Sequence, residues 1–169
     1  MTAKHCLFAF ACALVCAHAH PARADLAAVY VQGSGGVTSG TVDELGSGSA
    51  ALGGRIGARV LMGELYLDRV GLASEATTTR YVLGVHGGLG LAGVTLHGGA
   101  GLGYLSEQAG AAAEMTERRG AVARVGGGLE TGLHYGLHAG AALEAESVVV
   151  GDTGSDVIGY LYLKLQLGV

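Results

Sequence analysis

The chain has 169 residues, 32 of them glycine and none tryptophan, with ten Lys plus Arg against fourteen Asp plus Glu. Setting aside Lys4 and Arg23, which belong to a leader segment, leaves eight basic side chains against fourteen acidic ones. That formal charge of −6 excludes the basic surface nucleic acid requires. No apolar run approaches the ~18 residues of a transmembrane helix, so a membrane crossing by this chain has to use strands.

Residues 1–24 read as a cleaved signal peptide. Lys4 supplies a positive start, Cys6 to Ala17 a short apolar run, and Ala22-Arg23-Ala24 a small-x-small cleavage site before Asp25. The three cysteines and the single proline lie inside this segment, so the exported chain is expected to hold no disulfide. A lipoprotein reading of Cys12 or Cys16 lacks the Leu-small-small pattern such sites carry. Residues 25–169 are of a length for one domain.

Period-two alternation then divides the mature chain into strands and connections. The first strand is Leu26 to Gln32, followed by a long polar loop, Gly33 to Ser49. The second, about Ala50 to Leu61, sets Ile56, Ala58 and Val60 against Arg55, Gly57 and Arg59. A tight turn at Met62-Gly63 leads to a third that opposes Leu65 and Leu67 to Glu64, Tyr66 and Asp68 and ends near Leu72. After a loop at Ala73 to Thr79, the fourth strand, Arg80 to Leu91, sets Tyr81, Leu83, Val85 and Leu89 against Arg80, Gly84, His86 and Gly88.

Ala92-Gly93 is the second tight turn. The fifth strand opposes Val94, Leu96, Ala100, Leu102 and Tyr104 to His97, Gly99, Gly101 and Gly103, and a polar loop follows from Ser106 to Arg118. The sixth places Ala121, Ala123, Val125 and Leu129 opposite Arg124, Gly126, Gly128 and Glu130. A turn near Gly132 opens the seventh, where Leu133, Tyr135, Leu137, Ala139, Ala141 and Leu143 oppose His134, His138, Gly140, Glu144 and Glu146. Ser147 to Asp156 is the last loop. The closing strand runs to Val169, with Leu161, Leu163, Leu165, Leu167 and Val169 on one face and Tyr162, Lys164 and Gln166 on the other.

Eight strands joined alternately by long polar loops and short turns predict an all-β fold, an eight-stranded antiparallel up-and-down transmembrane β-barrel. Glycine gathers on the polar face, where open water would give it no advantage and a narrow lumen would. That face also carries Arg55, Arg59, Arg80, Arg124 and Lys164 against Glu64, Asp68, Glu130, Glu144 and Glu146, five of each sign. Balanced charge suits an enclosed space, because an unpaired buried ion costs several kcal/mol. The expected lumen network is these ten with His86, His97, His134 and His138, and the aliphatic face of the closing strand is expected to meet lipid.

In these features the mature chain resembles the small eight-stranded outer-membrane barrels of Gram-negative bacteria, and is similar to the barrel domain of outer-membrane protein A and to the outer-membrane protein X group. Unlike those chains it ends Leu-Gly-Val rather than in phenylalanine, and its seven tyrosines are the main ring-bearing candidates for an aromatic girdle. The resemblance implies a monomer in the outer membrane whose partners are outer-membrane lipid, lipopolysaccharide and the barrel assembly machinery, with a structural or surface-interaction role and no cofactor.

A second reading is a lipid A-modifying enzyme, a deacylase or acyltransferase with a His-Ser-acid site. It requires serine within hydrogen-bond reach of a base, whereas Ser106, Ser147 and Ser155 are expected in loops away from histidine. A third is a secreted soluble glycine-rich barrel. His134 and His138 would share a strand face roughly 13 Å apart, too far for one metal ion, and are read as bonded to Glu130 or Glu144. His86 and His97 come closer. Loop residues Asp43, Glu44, Glu107, Glu114, Glu117, Asp152 and Asp156 offer carboxylates for divalent cations that bridge lipopolysaccharide, but are read first as a solvated surface. The glycine-rich runs lack the Lys-Ser/Thr and the helix of a phosphate cradle.

Overall fold

The computed structural model describes residues 19–20, 26–40, 49–72, 76–109, 116–152 and 154–168. Eight strands carry the fold: β1 (Ala27–Gly40), β2 (Ser49–Val60), β3 (Gly63–Leu72), β4 (Thr77–Leu91), β5 (Val94–Ala109), β6 (Thr116–His134), β7 (Leu137–Gly151) and β8 (Ser155–Gly168). Each pairs antiparallel with its chain neighbours, and β1 also pairs with β8, from Ala28↔Gly168 to Gly40↔Asp156. The sheet therefore closes on itself and leaves no bare edge. A two-residue bridge, Ala19–His20, lies beside Gly90 and Leu91. The rest of the expected signal peptide, and Val169, lie outside the described residues.

The short connections follow turn chemistry. Ala92 and Gly93 (φ +46° and +86°) and Tyr135 and Gly136 (φ +40° and +77°) take the left-handed pairs of a two-residue hairpin, which favour glycine at the second place. The third turn is therefore at Tyr135-Gly136 and not near Gly132. Gly132 stays in β6, with nothing within 4 Å of where its Cβ would stand.

The long connections are shorter than their composition suggests. Gly33 to Gly40 continues β1, Thr77 to Thr79 begins β4, Ser106 to Ala109 extends β5, and Thr116 to Arg118 opens β6. Only residues 41–48, 73–75 and 110–115 of those loops lie outside the described residues. Likewise Ser147 to Gly151 belongs to β7 and Ser155–Asp156 to β8. Polar sequence here does not mean loop, because strands beyond an apolar band have no need of an aliphatic face.

Side chains alternate as a barrel requires. Val29, Val31, Ile56, Leu65, Leu83, Leu102, Val125, Leu143, Leu161, Leu163, Leu165 and Leu167 all point outward and are exposed. Inside, Val82, Leu105 and Val122 are fully buried, with Tyr30, Tyr66 and Tyr162 close to it. Glycine makes room for those rings. A Cβ on Gly57 would stand 2.5 Å from the Tyr30 ring, and one on Gly140 would stand 2.5 Å from that of Tyr162. Each is the cross-strand partner of its tyrosine.

Candidate functional site: the charged lumen

The inward positions of all eight strands converge on a polar lumen built of tiers of ion pairs. Its middle tier is three arginines and three carboxylates. Asp68, 3% exposed, receives Arg124 Nη1 at 2.8 Å, Arg55 Nη2 at 3.1 Å and Arg80 Nη1 at 3.5 Å. Arg55 also holds both Glu144 oxygens, at 3.1 and 2.9 Å, Arg124 meets Glu144, and Arg80 Nε lies 2.9 Å from Glu146. Tyr66 lies beneath this tier with the Arg55 guanidinium 4.3 Å from its ring centre. Charges thus balance three to three among side chains that are nearly all buried.

The tier nearer the short turns is built differently. Arg59 pairs with Glu64 at 2.9 Å, and the Tyr30 hydroxyl donates to the same carboxylate at 2.9 Å. Lys164 pairs with Glu130 at 2.5 Å, the Tyr162 hydroxyl donates to Glu130 at 2.9 Å, and His138 Nδ1 lies 3.1 Å from it. His86 and His97 stack with ring centres 5.4 Å apart. His86 lies 3.6 Å from Glu64, and His97 Nε2 lies 2.9 Å from the Tyr162 hydroxyl. Among the described residues, no group of three or more His, Cys, Asp and Glu is arranged to hold a metal ion.

His134 departs from the expected set. It sits exposed at the end of β6 against the Tyr135 ring, 3.6 Å between centres, because the register slips between Gly132 and His134. It and His138 flank the hairpin on adjacent strands and do not share a face of one strand. The other thirteen expected lumen residues all point inward.

A third tier, near the loops, escaped the sequence reading. Arg118 pairs inside the barrel with Glu107 at 2.8 Å and Asp156 at 3.2 Å. All three were expected in loops. The clue was present, since Leu105 and Glu107 continue the inward set of β5, but the flanking polar residues hide the alternation. The tyrosines also divide. Tyr30, Tyr66, Tyr160 and Tyr162 line the lumen, leaving Tyr81, Tyr104 and Tyr135 outside.

Between the tiers the open space is small. One cavity of about 60 Å³ runs beside Tyr30, Arg59, His86, His97 and Tyr162, and a second of about 20 Å³ lies near Ser34 and Ile158. Such volumes admit a few waters. Ser106, Ser147 and Ser155 stand in strands rather than loops, at the end away from the short turns. The described histidines cluster at the opposite end. On β5, Ser106 and His97 are nine residues apart, roughly 30 Å at about 3.3 Å per residue, so no serine–histidine pair forms there.

No protein-family model matches the sequence, and no curated protein matches it significantly. Solved structures do match in shape. Neisserial surface protein A (NspA) superposes with a TM-score of 0.62 at 10% identity, covering 82% of this chain and 96% of its own. The fold is that of the small eight-stranded outer-membrane barrels. The N-terminal barrel domain of Pseudomonas aeruginosa OprF gives 0.59 at 17% identity over 83% of this chain and 97% of its own. The outer membrane enzyme PagL gives 0.53 at 12% identity over 80% and 98%.

Proposed function

We propose that this chain is an outer-membrane β-barrel protein without enzymatic activity, with a structural or surface-interaction role and a lumen plugged by ion pairs and small residues. The observation that carries the reading is the outward belt. On β5 it runs from Val94 through Leu96, Ala100 and Leu102 to Tyr104, ten residues apart, which at about 3.3 Å per residue and a tilt near 40° gives a height of roughly 25 Å. That is about the apolar thickness of an outer membrane. Tyr81 and Tyr104, direct cross-strand partners, border it on the loop side, and Tyr135 borders it at the turns. A secreted soluble barrel would expose this whole belt to water, far beyond the few hundred Å² a soluble monomer tolerates.

Outer-membrane lipid, lipopolysaccharide and the barrel assembly machinery are the partners this placement implies, with the long connections outside the cell and the monomer as the working unit. The barrel in lipid vesicles should migrate faster or slower unboiled than boiled on a gel and require detergent for extraction. In planar bilayers it should pass no large, stable single-channel current. Extraction by aqueous buffer alone would refute the membrane placement, and a large stable current would refute the plug.

A further inference from the structure

The outer face of the barrel differs around its circumference. Along β1–β8, the described charged side chains that point outward are Arg69, Glu117 and Arg119, all in the β3–β6 sector. Register joins the arginines. Arg69 on β3 pairs with Thr79 on β4, Thr79 with Ser106 on β5, and Ser106 with Arg119 on β6. The four make one outward row across the strands, roughly 14 Å long at about 4.8 Å per strand.

The next outward row toward the turns is Leu67, Tyr81, Tyr104 and Ala121, so the polar row adjoins the apolar belt directly. Because strands tilt, the row is inclined. Arg69 lies near the level of Tyr81 and Tyr104, and Arg119 stands farther from the turns. Arg119 is 60% exposed and shares its charge with Glu117 at 2.5 Å. On the opposite side of the barrel the loop-end outward positions include Val37, Leu52, Val149 and Val157, all exposed aliphatics.

We propose that the row Arg69–Thr79–Ser106–Arg119 binds the phosphate-bearing headgroup of an anionic lipid in the leaflet at the loop end. This rests on the membrane placement above. A side chain just outside an apolar belt has headgroups for neighbours, and the arginine stems can lie along that belt while their charged ends reach the phosphate layer. Guanidinium groups bind phosphate oxygens bidentately, and the two hydroxyls between them supply further donors. The sector sets Arg69 and Arg119 against Glu117 and against Asp152, whose Oδ2 accepts the Arg119 backbone N–H at 3.3 Å, so its two guanidinium groups are the points at which this face can meet an anion.

The test uses the refolded full barrel in phosphatidylcholine vesicles with a trace of chain-spin-labelled phosphatidic acid or, in parallel, spin-labelled phosphatidylcholine. The motionally restricted fraction of each label gives the selectivity of the protein's lipid shell. The expected result is several-fold selectivity for phosphatidic acid, lost in the Arg69→Gln/Arg119→Gln double variant and raised by Glu117→Gln, which removes the competing carboxylate. Equal restriction of both labels by the parent, or undiminished selectivity in the double variant, overturns the proposal. Gel mobility of the unboiled samples reports insertion separately. A parent chain that never inserts overturns the membrane placement itself, and the lipid site with it.

Discussion

Asp68 is the residue on which the lumen charges depend most. Replacing it by asparagine keeps the shape and removes one of three carboxylates that face Arg55, Arg80 and Arg124. Arg55 and Arg124 would still meet Glu144, and Arg80 would still meet Glu146, but three guanidinium groups would share two charges. Removing one partner of a buried ion pair costs about 3–5 kcal/mol. The amide retains one acceptor, so the lower end, about 3 kcal/mol, is expected. The assay is urea unfolding in lipid vesicles, followed by tyrosine fluorescence and by loss of the unboiled gel band. Adding Arg124→Gln leaves Arg55–Glu144 and Arg80–Glu146 as two complete pairs. It should therefore recover about 1–3 kcal/mol of the loss, a coupling typical of residues in one network. A cost below about 1 kcal/mol for Asp68→Asn, or strictly additive losses in the double variant, would refute the view that charge balance holds the lumen together.

Leu163 is exposed on the outer face of β8, between Gly33 and Ala139. Leu163→Arg should cost about 2–4 kcal/mol in vesicles, while Gln166→Arg, on the lumen face, should stay within about 1 kcal/mol of the parent. Leu163→Tyr should fold normally, since lipid accommodates the ring and a packed core would not; failure of that variant in the same unfolding series would invert the facing of the strand. Gly57→Ala forces its Cβ against Tyr30 and should lower stability by about 1–3 kcal/mol. Gly87→Ala, with nothing within 4 Å of its Cβ, should be neutral or mildly stabilising, so equal losses in urea midpoint would remove the ring-over-glycine account. Protease shaving of intact cells should cut after Glu44 or Glu114, which the sequence places between β1 and β2 and between β5 and β6. Cleavage by trypsin at Arg118 is not expected, because its guanidinium is held inside the barrel by Glu107 and Asp156.

The amino-acid sequence by itself determined the strand count, the antiparallel order and the two faces. A period of two assigns each side chain to one side whatever the neighbours are, and Leu161 to Leu167 or Arg55 to Arg59 can be sorted by eye. What alternation cannot express is distance between strands and height along the barrel. Register sets Arg55 and Arg80 directly opposite Asp68 on the flanking strands β2 and β4, and only closure of the sheet brought Arg124 of β6, 56 positions away, across the lumen to the same carboxylate. The β1–β2 register decided that Tyr30 would cover Gly57. Strand ends were obscured for a related reason: beyond the apolar belt both faces become polar, so the signal that marks a strand fades while its hydrogen bonds continue. That is why Glu107, Arg118 and Asp156 read as loop and stand in the lumen. His134 was lost to a register slip beside a turn, where a single residue moves a side chain to the other face. The row of Arg69, Thr79, Ser106 and Arg119 likewise exists only through register, since its members lie on four different strands and share no local pattern.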